Sequence, residues 1–237
     1  MALLLNIETS TSVCSVALAR DGQIISLKEN KEGMNHATLL TVFIENILKE
    51  NELSPSDLDA VAISMGPGSY TGLRIGVSTA KGICFGANIP LIAINTLEAM
   101  AYPIAKMEKV QNLLKNPETA WYCPMIDARR MEVYTAFFDG KNQLMKETSA
   151  DIIDETSYLS TLDQRELIFF GDGSAKCNGT ISHSNAHFLE EITPSAVNMA
   201  ELAEEKFKEN KFEDVAYFEP FYLKDFVATV PKKNILG

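Results

Sequence analysis

Short apolar runs divided by polar turns open the chain. Leu3 to Ile7 and Val13 to Ala19 have the length of buried strands, and Gln23 to Leu27 follows Asp21-Gly22, a strong hairpin signal. Between the first two runs lies Glu8-Thr9-Ser10-Thr11-Ser12, a hydroxyl-rich turn entered through a carboxylate. From His36 to Lys49 the spacing changes, and Leu39, Leu40, Phe43, Ile44, Ile47 and Leu48 recur at helical intervals. Leu53-Ser54-Pro55-Ser56-Asp57 ends that helix. A buried strand is predicted over Leu58 to Ser64, a helix from near Gly72 to Ala87, and a strand over Leu91 to Ile94. The order βββαβαβ predicts a mixed sheet with helices on its faces.

The pattern then starts again. Trp121 to Ile126 closes on Asp127, Glu132 to Phe138 follows, Asp139-Gly140 is the turn, and Gln143 to Lys146 is a short third run. Glu8 precedes Gly22 by fourteen positions and Asp127 precedes Gly140 by thirteen. Beyond this, the spacing predicts a helix over Ile152 to Leu162 and a strand over Glu166 to Phe170. A last helix is predicted over Ala196 to Lys208, with Met199, Leu202, Ala203 and Phe207 on one stripe. We expect an α/β protein made of two similar βββαβα lobes. Residues 1–101 form the first lobe and 102–237 the second, with Tyr102 to Glu118 as linker. The helix near 196–208 is expected to reach back to the first lobe, and the apolar tail from Tyr217 to dock on the body. Lys232 to Gly237 is expected to fray.

One helix breaks the ordinary rules of composition. Gly66-Pro67-Gly68-Ser69 leads into a segment carrying Gly72, Gly76, Gly82 and Gly86. Each interior glycine costs a helix roughly 0.8–1 kcal/mol against alanine, so some gain must offset it. Gly72, Gly76 and Ala80 share one face, which lets another backbone approach closely. This helix is built to be packed against. A large residue at Gly76 is expected to spare the fold and to block whatever packs there.

Composition narrows the function. At 237 residues, 46% apolar and 22% charged, the chain is an ordinary globular protein, and its net charge of −11 disfavours unaided binding of nucleic acid. Cys14, Cys84, Cys123 and Cys177 are widely spaced and suggest reduced thiols of a cytoplasmic protein. Leu3-Leu4-Leu5 is too short for a signal peptide, and no run approaches membrane-spanning length.

The chemistry on offer is limited. Glu8 and Asp127, at the ends of the first strands of paired lobes, would face each other across a cleft suited to a nucleotide. Carboxylates hold Mg²⁺ through water, while hydroxyl-rich or glycine turns such as Ser10-Thr11 and Gly171-Asp172-Gly173-Ser174 wrap phosphates. The same residues also fit a structural role, capping strand ends and binding water, and residue types alone favour that. Gly66-x-Gly68-x-x-x-Gly72 is one residue too long for a dinucleotide fingerprint and lacks the lysine of a P-loop. His183-x-x-x-His187 has metal-ligand spacing, but its neighbours suggest a solvated loop. No hydrolase motif is present.

The run Gly66-Pro67-Gly68-Ser69-Tyr70-Thr71-Gly72-Leu73-Arg74-Ile75-Gly76 closely resembles the signature of the TsaB family, also called YeaZ. Ile7-Glu8-Thr9-Ser10-Thr11, Asn35-His36-Ala37-Thr38-Leu39-Leu40 and Asp127-Ala128-Arg129-Arg130-Met131-Glu132-Val133-Tyr134 are similar to further family motifs. So are Gly171-Asp172-Gly173 and Pro220-Phe221-Tyr222-Leu223-Lys224, and all run in family order. The resemblance implies the actin/Hsp70/sugar-kinase fold, in agreement with the lobe repeat.

It also implies a non-catalytic partner in bacterial tRNA threonylcarbamoyladenosine synthesis. Such a subunit binds the transferase TsaD as a heterodimer, and the pair then binds the ATPase TsaE. Alone it forms a homodimer, and it meets tRNA only through the complex. By this resemblance the partner face comprises His36, Gly68, Tyr70, Thr71, Gly72, Leu73, Arg74, Gly76, Val77 and Ala80. TsaD holds its metal through an H-x-x-x-H pair after its own glycine helix. Here Asn95 to Met107 contains no histidine, so neither that metal nor the transfer is expected. The older glycoprotease label gains no support.

The degenerate nucleotide cleft would comprise Glu8, Ser10, Thr11, Asp127, Gly171 and Gly173. Glu8 stands where the fold's kinases carry aspartate, and Ser10 where they carry glycine, and both crowd a phosphate. ATP and Mg²⁺ are thus expected weakly or only within the complex. The competing readings are a stand-alone ATP-binding kinase or ATPase of this fold and, disfavoured by charge, a direct RNA-binding module.

Overall fold

A computed structural model describes residues 2–33 and 35–224. The first sheet is built from β1 (Leu3–Glu8), β2 (Cys14–Arg20), β3 (Gln23–Asn30), β4 (Ala60–Gly66) and β5 (Leu91–Asn95), in the order β3-β2-β1-β4-β5. The first three are antiparallel neighbours, and β4 and β5 run parallel to β1. The second sheet repeats this plan with β6 (Trp121–Asp127), β7 (Glu132–Phe138), β8 (Leu144–Ile152), β9 (Leu167–Phe170) and β10 (Ala186–Phe188), in the order β10-β9-β6-β7-β8. Its antiparallel and parallel pairs fall at the same places. The two halves are one α/β topology used twice, as the internal repeat predicts.

Strands β1, β2, β4 and β5 of the first sheet are covered on both faces, which is why they read as nearly unbroken apolar runs, while the edge strand β3 is exposed. Leu3, Leu5 and Ile7 of β1, with Val61 and Ile63 of β4, pack beneath α1 (His36–Glu50) and α2 (Tyr70–Ala87). The alternate residues Leu4, Ala60, Ala62, Ile92 and Ile94 face Met199, Leu202 and Ala203. The last two belong to α6 (Ala200–Lys208), which therefore reaches back from the second half of the chain. The exchange is mutual. Helix α3 (Thr96–Ile104) follows β5 directly, runs through the division expected at residue 101, and packs Leu97, Met100 and Ile104 on Tyr122, Ile126 and Phe170 of the second sheet.

Several expectations are corrected. Ile152 to Leu162 is not a helix. Residue 152 ends β8, and only α5 (Leu159–Leu162) turns helically. Asp154 diverts the chain, since its carboxylate accepts the Thr156 N–H and hydroxyl, both at 2.8 Å. Within the expected linker, Tyr102 to Glu118, only the end of α3 and the short α4 (Glu108–Gln111) are helical. His187 lies on a strand rather than in a loop, and its Nε2 meets Glu166 Oε1 at 2.9 Å. The four cysteines are buried free thiols, and burial pushes Cys14 and Cys84 up to about 11. Among the described residues no helix is long and apolar enough to cross a membrane. The expectation for Lys232 to Gly237 lies outside the described residues.

Candidate functional site

Glu8 ends β1 with its side chain turned inward, 1% exposed. Its Oε1 accepts the Ser10 N–H at 2.5 Å and the Ser64 hydroxyl at 3.0 Å. Burial pushes its carboxyl above the usual range, while the hydrogen bonds from Ser10, Ser64 and Thr9 pull the other way. The turn that follows is clamped by the start of α2. Ser69 N–H donates to Ser10 O at 2.6 Å, and the Ser69 hydroxyl caps the helix by accepting Gly72 N–H at 3.3 Å.

The glycine spacing now has its cause. A Cβ on Gly68 would stand 2.3 Å from Ser10 O, one on Gly72 2.1 Å from Thr9 O, and one on Gly76 2.2 Å from Thr9 Oγ1. The close-packing face of α2 exists, but its partner is the chain's own turn between β1 and β2.

That corrects much of the expected partner face. Gly72, Leu73, Gly76, Val77 and Ala80 are buried within the first lobe. His36 is buried too, with Nε2 3.1 Å from Val13 O, and burial lowers its pKa below the usual histidine value. Gly68 and Tyr70 are half-buried, and Thr71 and Arg74 are exposed.

The second turn is likewise bound up in its own lobe. Asp127 is half-exposed, and its carboxylate pairs with Lys176, whose Nζ also donates to Glu132 O at 2.6 Å. The same carboxylate accepts Arg129 N–H at 2.9 Å, and Asp127 N–H donates to Asp172 Oδ1 at 3.1 Å. Burial raises the Asp172 carboxyl, and the nearby Asp127 charge adds to the effect. Gly171, at φ +105°, and Gly173 seat this turn on β6, where Cβ atoms would fall 2.3 Å from Met125 O and 2.9 Å from the Ile126 carbonyl carbon. The structure thus joins Asp127 to Gly171 and Gly173, and separately Glu8 to Ser10. Thr11 accepts Val13 N–H at 3.3 Å.

This donor set does not fit a magnesium nucleotide. Ser10 N–H is taken by Glu8, Ser69 N–H by Ser10, and the charge of Asp127 is met by an ammonium. Among the described residues no group of three His, Cys, Asp or Glu side chains could hold a metal ion. Sequence reasoning missed Ser64 and Lys176 as members of these turns. Ser64 follows Ile63, the residue paired with Ile7 in the β1–β4 ladder, so register alone places it beside Glu8.

The outer surface of the helices is different in kind. A groove of about 460 Å³ runs between α1 and α2, lined by Thr41, Ile44, Leu48, Leu53, Thr79 and Ile83 among others. On α2, Phe85 is 85% exposed, and the Cβ positions of Gly82 and Gly86 meet nothing within 4 Å.

A family model described as TsaD, tRNA N6-adenosine threonylcarbamoyltransferase, matches residues 30–232. The "tRNA threonylcarbamoyladenosine biosynthesis protein TsaB" of Bacillus subtilis is 31% identical over 172 residues, which is 71% of this chain and 70% of that protein. The Haemophilus influenzae protein of the same name is 29% identical over 233 residues, 94% of each chain. The solved structure of YeaZ from Pseudomonas aeruginosa superimposes with a TM-score of 0.79 at 24% identity, covering 94% of this chain and all of that one. The chain belongs to the TsaB (YeaZ) family, within the wider threonylcarbamoyltransferase family that the model describes.

Proposed function

We propose that this chain is the scaffold and activator subunit of tRNA threonylcarbamoyladenosine synthesis. It binds a TsaD-type transferase and, with it, a TsaE-type ATPase, supports threonylcarbamoyl transfer to the adenosine beside the anticodon, and performs no chemistry itself. We read the first lobe as the docking lobe and the second, with its tail, as support. The same docking surface brings two copies together when the transferase is absent. The single observation carrying this reading is the outward apolar surface of α1 and α2, with its groove and the exposed Phe85. An exposed phenylalanine beside side-chain-free positions is unfavourable in a monomer and favourable at an interface. The docking residues are then Thr71, Arg74, Thr79, Ile83 and Phe85, not the buried Gly72–Gly76–Ala80 face.

The test is co-elution of this chain with a TsaD-type transferase in size-exclusion chromatography. Ile83→Glu with Phe85→Ser should leave a folded monomer that no longer co-elutes. Undiminished co-elution would remove this surface from the account.

A further inference from the structure

The last described segment, residues 213–224, makes a succession of contacts along the first lobe and ends on the second. Glu213 N–H donates to Leu91 O at 2.8 Å, at the edge of the first sheet. Lys81 of α2 then grips the carbonyls of Ala216 and Phe218, at 3.1 and 3.0 Å, and the Phe218 ring enters the core beneath the helices. Phe221 N–H donates to Met65 O at 2.7 Å. The approach is so close that a Cβ on Gly66, at φ +113°, would stand 2.6 Å from Phe221 O. Tyr222 lies against Tyr70 with ring centroids 4.8 Å apart, and its hydroxyl accepts Arg74 Nε–H at 3.3 Å. Finally Lys224 pairs with Glu132, the first residue of β7 in the second sheet.

The route has a meaning in this topology. Met65 and Gly66 are the carboxyl end of β4, next to Ser64 and Glu8. Glu132 adjoins the carboxyl end of β6, since Ala128 N–H donates to Glu132 O at 3.1 Å. The crevice outside such strand ends is where open α/β sheets receive ligands. The tail passes from one lobe's strand ends to the other's. Its grip weakens along the way, from a buried phenylalanine to a partly exposed ion pair that salt screens.

We propose that residues 219–224 are a latch that ties the carboxyl end of β4 in the first sheet to the start of β7 in the second. Seated, it fixes the spacing of the two sets of strand ends and covers one face of the Tyr70 ring. It unseats from Lys224 back to Phe221 while Phe218 stays buried, and the open form uncovers the half-buried Tyr70 ring and the carboxyl end of β4.

Hydrogen–deuterium exchange on the full chain tests this, comparing wild type with Lys224→Glu, Tyr222→Ala/Lys224→Glu and the charge swap Lys224→Glu/Glu132→Lys. Peptides covering residues 65–74 and 127–133 should exchange about threefold faster in the single variant, as loss of an exposed ion pair allows. In the double variant, which also loses the aromatic pair, the increase should be about tenfold. The swap should return both to wild-type rates, and α6 should not change in any variant. Wild type at about 1 M salt, with nothing substituted, should show roughly twofold faster exchange at 127–133. Unchanged exchange in either peptide of the double variant, or at high salt, would overturn the latch. So would acceleration that includes α6.

Discussion

Two sets of glycines on one helix behave as opposites. A methyl group at Gly76 would meet Thr9 Oγ1 at 2.2 Å, whereas at Gly82 or Gly86 it would meet nothing. Gly76→Ala is therefore expected to cost about 1–3 kcal/mol through overpacking, and Gly76→Leu to break the first lobe rather than spare it. Gly82→Ala or Gly86→Ala should stabilise the isolated chain by about 0.4–1 kcal/mol each. Urea midpoints of the three alanine variants decide the matter, and equal shifts in one direction would contradict the packing described.

Glu8 makes a second prediction at this scale. Its folded carboxyl is raised above the unfolded value near 4.5, chiefly by burial. The folded state therefore binds the proton more tightly, and the favourable contribution is complete below that value and lost as pH rises through the folded pKa. Glu8→Gln keeps an oxygen for Ser10 N–H and the Ser64 hydroxyl and carries no charge. It should raise the melting temperature at pH 7 to 8, each kcal/mol being worth roughly 2–4 °C in a domain of this size. The gain should vanish near pH 4. A variant that melts lower at neutral pH would mean that the ionised carboxylate is needed.

At the scale of elements, the buried strands were legible because burial on two faces leaves a simple pattern, whereas the half-exposed β10 and the far end of β8 were not. The alternation of β1 between the α1–α2 side and the α6 side needs only a period of two. Helix α2 was legible as a close-packing helix, but not its partner. Nothing local to residues 66–87 says that Thr9 and Ser10 fill the face, since that contact depends on how β1 and β4 pair. The helix expected after Ile152 failed on turn chemistry, because Asp154, Thr156 and Ser157 satisfy one another instead. Of the candidate site, Asp127, Gly171 and Gly173 were legible as a cluster, while Lys176, 49 residues from Asp127, was not.

Helices α1 and α2 also carry the element-scale prediction. In Gly86→Trp, a bulky ring should occupy open space, leave the helix content unchanged by circular dichroism, and weaken self-association at least tenfold in sedimentation equilibrium. Unchanged self-association would place the contact elsewhere.

The whole molecule is two copies of one topology that exchange a helix each way, α3 onto the second sheet and α6 onto the first. In such a frame the carboxyl ends of the strands would hold a ligand, yet here both turns are satisfied from within. The outside of α1 and α2 carries an apolar groove and the exposed Phe85. A net charge of −11 on the chain suits a subunit that meets RNA through its partners rather than directly.

The measurement that bears most directly on the central claim is reconstitution of the tRNA modification from purified components. The reaction is run with and without this chain beside a TsaD-type transferase and a TsaE-type ATPase, with the chain alone as control. The account predicts modified adenosine only when this chain accompanies the transferase, none from the chain alone, and a loss with Ile83→Glu/Phe85→Ser that parallels the loss of co-elution. Modification at full rate without this chain, or by this chain alone, would contradict it.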